Sequence, residues 1–157
     1  MIKKVICLIA IFLFFSCNDS NDSADCSAVI CAPSENTVFI RFLDSESEEN
    51  LLDNYTILSE TIQIMDIESK EVTPIIGETP NFGKLLAFTV STDTYGEKSY
   101  TISFDGGDPF TIEFFSEYRG GGCCGVYTVI DGVEISTYTH EYSQRDTLPL
   151  EVTLYID

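Results

Sequence analysis

Residues 148–156 carry the pattern that most constrains the fold of this chain, a strict alternation of apolar and other side chains. The apolar members are Leu148, Leu150, Val152, Leu154 and Ile156. Successive side chains of a β-strand point to opposite faces, so this spacing places one face in a core and the other towards solvent. The segment therefore predicts a β-strand. Pro149 indicates a strand start or an edge, because proline has no amide hydrogen to donate.

The same alternation recurs upstream and predicts further strands. The segments that carry it are Thr37–Leu43, Thr61–Ile67, Lys84–Ser91, Tyr100–Phe104 and Phe110–Phe114. Thr37–Leu43 has apolar side chains on both faces, which is typical of a central strand. Asp105–Asp108 contains two glycines and predicts a hairpin turn between its flanking segments. Asp131–Gly132, between the alternating segments 126–130 and 133–135, predicts a second hairpin turn.

No segment of useful length has the spacing of an amphipathic helix. The best match is Glu48–Ser59, but its apolar residues are few and Asn54 interrupts them, so a loop with one helical turn is expected. About eight short strands at intervals of roughly 8–15 residues predict an all-β fold. We expect one domain at residues 36–157, a single antiparallel β-sandwich of about 7–8 strands.

The N-terminus predicts export. Two lysines precede the uninterrupted apolar run Val5–Phe15, and Ser16 and Cys17 follow it. The run is shorter than the roughly 20 residues of a membrane-spanning helix and has the length of a secretory h-region, about 7–15 residues. We therefore expect a cleaved signal peptide. The alternatives are an uncut signal anchor and a plain secretory signal that leaves Cys17 as a disulfide partner.

The Ser16–Cys17 junction resembles the relaxed lipobox of Bacteroidota-type surface lipoproteins. That resemblance implies that residues 1–16 are removed and that Cys17 is acylated. The protein would then be an outer-membrane lipoprotein with its domain on the periplasmic or cell-surface face. Residues 17–35 would form the lipidated cysteine and an acidic polar tether. The β-domain looks like the small Ig-like or transthyretin-like domains of such lipoproteins, although fold analogy does not carry function.

Two short segments, Asp22–Ala24 and Asp146–Leu148, resemble the O-glycosylation motif of the same group, Asp-Ser/Thr-apolar. The resemblance implies glycans on Ser23 and Thr147. The plainer interpretations are a linker serine and a threonine that begins a strand.

The chain is strongly acidic, with a formal net charge of -18 at pH 7. Surface binding to nucleic acid or anionic lipid needs clustered Lys and Arg, so the composition excludes both. The charge provides solubility and self-repulsion. Divalent-cation binding and a basic partner are the more specific interpretations. The membrane contact that we expect is through the N-terminal lipid.

The cysteines predict disulfides. Cys7 leaves with the signal peptide and Cys17 takes the lipid, which leaves Cys26, Cys31, Cys123 and Cys124 in an oxidising compartment. Neighbouring Cys123 and Cys124 could join only through a strained ring, so each is expected to pair with one of the other two. A zinc site is the alternative, but neither pair has the C-x2-C spacing of common zinc knuckles. We expect no metal site.

Residues that indicate catalysis or metal binding are sparse. His140 is the only histidine, and no G-x-S-x-G nucleophile motif accompanies it, so we expect a surface or hydrogen-bonded loop histidine. Carboxylate pairs are too numerous in this chain to indicate a glycosidase. The acidic loop 44–49 has Glu49 where an EF-hand loop needs glycine. We therefore expect no enzyme and no cofactor.

The most unusual segment is Arg119–Gly125, a glycine-rich loop beside the predicted disulfides. Loops on a rigid scaffold commonly carry function, and tyrosine combines apolar area with a polar tip. Tyr118, Arg119 and Tyr127 are therefore the candidate binding residues; a purely structural loop is the alternative. We expect a non-enzymatic binding or structural accessory with a protein or glycan partner. The alternatives are a carbohydrate- or peptide-binding module of an outer-membrane uptake complex, and a hydrolase.

Overall fold

The computed structural model of this protein describes residues 35–120, 123, 125–143 and 145–157. Within those residues the chain forms ten β-strands in two five-stranded sheets. The predicted all-β sandwich is confirmed. No helix in this part of the chain is long and apolar enough to cross a membrane. The predicted signal peptide and the tether as far as residue 34, with Cys17 and Ser23, lie outside the described residues.

The strands are numbered along the chain. The first sheet contains, in spatial order, β4 (Ile75–Thr79), β5 (Gly83–Thr89), β1 (Thr37–Asp44), β10 (Leu150–Ile156) and β9 (Thr139–Tyr142). The second contains, in spatial order, β3 (Glu71–Val72), β2 (Gln63–Asp66), β6 (Gly96–Ser103), β7 (Phe110–Gly120) and β8 (Val126–Ile135). The described strands outnumber the predicted ones because β3, β4 and β9, edge strands of 2, 5 and 4 residues, have no clear alternation of apolar and polar side chains.

The first and last strands, β1 and β10, form the centre of the first sheet. They pair in parallel, with Ile40 opposite Val152, whereas β1 pairs with β5 in the antiparallel sense. Parallel strands need a long connection, and nearly the whole domain lies between these two. The predicted antiparallel sandwich therefore contains one parallel pair. Pro149 stands directly before β10, so it marks a strand start and not an edge.

Aromatic side chains join the two sheets in the core. Phe42 of β1 makes edge-on contacts with Phe104 and Phe110, with ring centroids 5.6 and 6.3 Å apart. Phe88 of β5 contacts Tyr100 of β6 at 4.8 Å. All five side chains are buried. The alternating strands therefore place their apolar faces against one another, as the sequence pattern predicts.

The two predicted hairpin turns have different outcomes. Asp105–Asp108 joins β6 to β7, which pair in antiparallel register with Ile102 opposite Phe110, so this prediction is confirmed. The prediction for Asp131–Gly132 is wrong, because both residues lie inside the continuous strand β8. The β7–β8 register shifts there, and Gly132 has a φ of 63°. A glycine at positive φ suits a β-bulge as well as a turn, so the dipeptide alone did not distinguish them.

The loop between β1 and β2 contains turns and one 3-10 turn at Ser59–Thr61, in agreement with the loop predicted at Glu48–Ser59. From this loop Asn50 Nδ2 donates hydrogen bonds to the backbone oxygens of Phe82 and Lys84, at 3.0 and 2.8 Å. These bonds hold the β4–β5 turn against the loop. They fix the backbone that carries Phe82.

Candidate functional site

The three predicted binding residues lie at the end of the β7–β8 hairpin. Ser116 is buried, and every residue of β7 beyond it is exposed. Residues 117–120 of β7 pair with residues 126–129 of β8; we call these residues the hairpin arm. Tyr118, Arg119 and Tyr127 are therefore on paired strands and not in a loop. The strand geometry fixes which way each side chain projects.

Tyr118 and Arg119 project to opposite faces of the hairpin arm, because neighbours on a strand alternate. Tyr118 lies opposite Thr128 in the register. Its ring contacts that of Tyr95, with centroids 5.4 Å apart and planes tilted by 50°. Tyr118 and Tyr95 are 48% and 44% exposed. We call Tyr95 and Tyr118 the tyrosine pair; it offers one exposed aromatic surface.

Arg119 and Tyr127 lie opposite each other on the other face. They line an open groove of about 620 Å³, which we call the arm groove. Its remaining lining residues are Phe115, Glu117, Val129, Ile130, Asp131, Asp146 and Thr147. Thr147 is half-buried and forms an isolated β-bridge with Val129. The predicted site is therefore divided between two faces, each with its own aromatic side chain.

Among the described residues, the guanidinium of Arg119 forms an ion pair with Glu117. Its Nη2 donates to Glu117 Oε2 at 3.3 Å, and this hydrogen bond is the main cause of a raised Arg119 pKa. Both side chains are more than half exposed, so water screens the pair and it adds little to stability. Arg119 can therefore exchange this contact for one with a bound partner.

Of the four cysteines expected to form disulfides, the structure describes Cys123 alone. Cys123 lies at the tip of the hairpin arm, between β7 and β8. Cys26, Cys31 and Cys124 lie outside the described residues. The pairing of these four cysteines stays a prediction.

His140 lies in the edge strand β9 and not in a loop, opposite Leu154 in the register. Its Nδ1 donates to the backbone oxygen of Tyr138 at 3.0 Å, and its ring stacks on Tyr142 with centroids 6.3 Å apart. The sequence predicts a surface or hydrogen-bonded loop histidine; the hydrogen bond is observed, but the predicted loop is wrong, because His140 lies in a strand of four residues. These contacts orient the ring along the edge of the first sheet.

The acidic loop that suggested calcium is held by its own first residue. Asp44 Oδ1 accepts hydrogen bonds from the amides of Ser47 and Glu46, at 2.8 and 3.1 Å, and from the Ser47 hydroxyl at 2.8 Å. The Ser47 amide is the main cause of the lowered pKa of Asp44. Across the described residues, no group of three or more His, Cys, Asp or Glu side chains is placed to hold a metal ion.

A second groove lies on the outer face of the first sheet and was not predicted. Its volume is about 320 Å³, and its central charged residue is Arg41 of β1. Phe82, from the β4–β5 turn, lies over the guanidinium, with its ring centroid 4.8 Å from Arg41 Cζ. We call it the Arg41 groove. The available sequence signal was one arginine among the apolar residues 38–43 of β1; the position of Phe82 had no sequence signal.

No protein-family model, curated protein or solved structure matches this chain.

Proposed function

We propose that this protein is a lipid-anchored, exported binding accessory at the outer membrane or cell surface, without catalytic activity. Its partner is a protein or a glycan, and the contact is made by the hairpin arm. The observation that carries the proposal is the exposure of β7 beyond Ser116, where the strand stops contributing to the core and still presents Tyr118 and Arg119. Fold stability does not require such residues, whereas a contact surface does.

The chemistry of the hairpin arm supports a binding role. Tyrosine buries a large apolar area and keeps a hydroxyl for hydrogen bonds, and tyrosine and arginine are enriched where partners bind tightly. The tyrosine pair presents tyrosine side chains on one face of the hairpin arm, and the other face presents Arg119 together with Tyr127. The rigid β7–β8 pairing lowers the entropy that binding would cost.

A peptide- or carbohydrate-binding module of an uptake complex is the second candidate. The arm groove favours it, because about 620 Å³ is ample space for a short peptide or a small sugar. The groove also combines apolar walls with Arg119, Glu117 and Asp131, which could orient polar groups of such a ligand.

The proposal is tested by affinity capture of the tagged protein from crosslinked membranes. Tyr118→Ala and Tyr127→Ala should each weaken capture of a stoichiometric partner while the domain stays folded, with the thermal midpoint lowered by only a few degrees. Tyr55→Ala is the matched control, because Tyr55 is 70% exposed and lies in the β1–β2 loop. Equal capture by all three variants would assign the arm to structure.

The non-enzymatic part of the proposal needs its own measurement. Turnover of a panel of esters, peptides and glycans should stay at background. Reproducible turnover that His140→Ala abolishes would replace the accessory with a hydrolase. Because His140 contacts Tyr138 and Tyr142, the thermal midpoint of that variant must be measured alongside.

A further inference from the structure

The Arg41 groove lies between the side chains that project outwards from the centre of the first sheet. β1 contributes Phe39 and Arg41, β5 contributes Leu85, and the β4–β5 turn contributes Phe82. Glu151 and Thr153 of β10 form the opposite side. In the register, Phe39 lies opposite Glu151 and Arg41 opposite Thr153. The groove therefore has an apolar wall, one cation and one carboxylate.

Arg41 differs from the other basic side chains of the described residues in having a buried nitrogen without a hydrogen-bond partner. Of the ion pairs in the described part of the chain, none includes Arg41. Its Nε is buried and has no hydrogen-bond partner there. A buried donor without an acceptor lowers stability, so such groups are rare in folded proteins. The described residues therefore leave the Nε–H group of Arg41 without an acceptor.

The surroundings of Arg41 indicate which kind of ligand would accept hydrogen bonds from its guanidinium. Phe82 covers one face of the guanidinium, which leaves the planar edge, where its N–H groups point, for an oxygen ligand. That edge matches a carboxylate, which can accept two parallel hydrogen bonds. Phe82 is 52% exposed, so its ring can shift to admit a ligand without disturbing the core.

The charge of the chain favours a ligand with a single negative charge. The net charge of -18 repels anions, and this repulsion grows with each negative charge on the ligand. Glu151 lines the same groove and adds to that repulsion. A phosphate dianion would have one positive charge, that of Arg41, to pair with its two negative charges. The single charge of a monocarboxylate would be balanced by Arg41.

We propose that the Arg41 groove binds a small organic monocarboxylate. Its carboxylate pairs with Arg41, and its apolar part lies against Phe39, Phe82 and Leu85. The volume of about 320 Å³ is near the lower end of the range of small-molecule sites, about 300–1,000 Å³. This groove is on the sheet opposite to the hairpin arm, so its failure would leave the proposed function intact.

The test measures binding of 3-phenylpropionate to the full mature chain by calorimetry and by NMR chemical shifts. 3-Phenylpropionamide, which has the same shape without the charge, is the matched probe. We expect saturable binding of 3-phenylpropionate and at least about tenfold weaker binding of the amide, because a hydrogen bond between charged groups is stronger than one to a neutral amide. Equal binding of the two probes, or no binding of either, would overturn the proposal.

Variants locate the ligand. Arg41→Gln should lower the affinity for 3-phenylpropionate at least about tenfold. Phe82→Ala should lower that affinity less, and Glu151→Gln should raise it. Arg145→Gln is the control, because Arg145 is exposed and absent from the groove. Because Glu151 is exposed, its variant stays informative even where Arg41→Gln is poorly folded. Tighter binding by Arg41→Gln or weaker binding by Glu151→Gln would contradict the charge assignment.

The acidic tether is the competing source of a carboxylate. Asp19→Asn, Asp22→Asn and Asp25→Asn combined in the full mature chain remove those charges. The proposal expects the same affinity for 3-phenylpropionate with and without them. Binding only after neutralisation would make the tether the occupant of the groove and would overturn the external ligand.

Discussion

Tyr118 and Tyr127, the two tyrosines beside the glycine-rich segment, lie on opposite faces of the β7–β8 hairpin. Tyr118 lies opposite Thr128, and Tyr127 lies opposite Arg119, one residue further along β7. Their side chains therefore do not share a surface, although both lie close to the tip of the same hairpin. One partner that covers a single face would contact only one of them.

Double-mutant cycles should reveal this separation. Tyr95→Ala and Tyr118→Ala should show a coupling of about 0.5–1.5 kcal/mol in the free energy of unfolding, because their rings are in contact. Tyr118→Ala and Tyr127→Ala should be additive. Chemical denaturation of the single and double variants measures both couplings. Strong coupling between Tyr118 and Tyr127 would contradict the alternation of the hairpin arm.

Lys98→Met should destabilise the domain by about 1–3 kcal/mol. The Lys98 side chain is buried, and its Nζ donates to the backbone oxygens of Ser91 and Thr94 at 2.9 and 2.7 Å. Loss of the ammonium leaves those oxygens unpaired and releases the β5–β6 connection. Lys70→Met is the control in the same denaturation experiment, because Lys70 is exposed and should change stability little.

Tyr100 should make the protein less stable in alkaline solution. Burial, the largest cause, raises its pKa above the ordinary value of 10.0, so above pH 10 the unfolded chain loses this proton before the folded chain does. Stability should therefore fall from about pH 10 upwards, through the raised pKa of the folded state. Tyr100→Phe should reduce that fall in denaturation curves recorded between pH 8 and 12. An unchanged alkaline slope would contradict the burial effect.

Gly132→Ala should destabilise the domain by about 1–2 kcal/mol, because Gly132 has a φ of 63°, which an L side chain rarely adopts. Gly120→Ala is a matched control on the same hairpin. No atom lies within 4 Å of an added Cβ at either position, and only Gly132 has positive φ. The difference in denaturation midpoint therefore measures the bulge backbone alone. Equal effects of the two variants would contradict the bulge.

Cys17→Ser should release the protein from membranes into a soluble fraction, because the variant lacks the cysteine expected to carry the lipid. Stable anchoring of a protein by lipid needs at least two acyl chains. Fractionation of membranes followed by mass spectrometry of the mature chain measures both the location and the acyl mass. A variant that stays membrane-bound, together with a wild-type chain that carries no acyl group, would contradict the lipoprotein prediction.

The alternation of side chains was enough to predict the class of fold and several of its strands. Thr37–Leu43 is observed as β1, paired on both sides, and the apolar set of residues 148–156 is buried in and next to β10. The alternation succeeds because the two-residue period is a local property of the strand, and it assigns each side chain to a face without knowledge of the neighbouring strands.

The candidate site could be predicted only in part. The glycines and tyrosines of the segment marked its position, but the loop expected there is mostly paired strand, and its residues divide between two faces. The Arg41 groove had no such marker, because Phe82 reaches Arg41 only through the turn that Asn50 holds in place. That contact joins segments far apart in the chain.

Local side-chain alternation was enough to assign strands with one apolar face, and the glycines of Asp105–Asp108 were enough to place a turn between two of them. The parallel pairing of β1 with β10, the bulge at Asp131–Gly132 and the contact of Phe82 with Arg41 emerged only from the folded chain. A side-chain pattern assigns a residue to a face of its strand but does not select the neighbouring strand. Strands with similar patterns can pair in many ways, and hydrogen bonds and packing between distant segments select one of them.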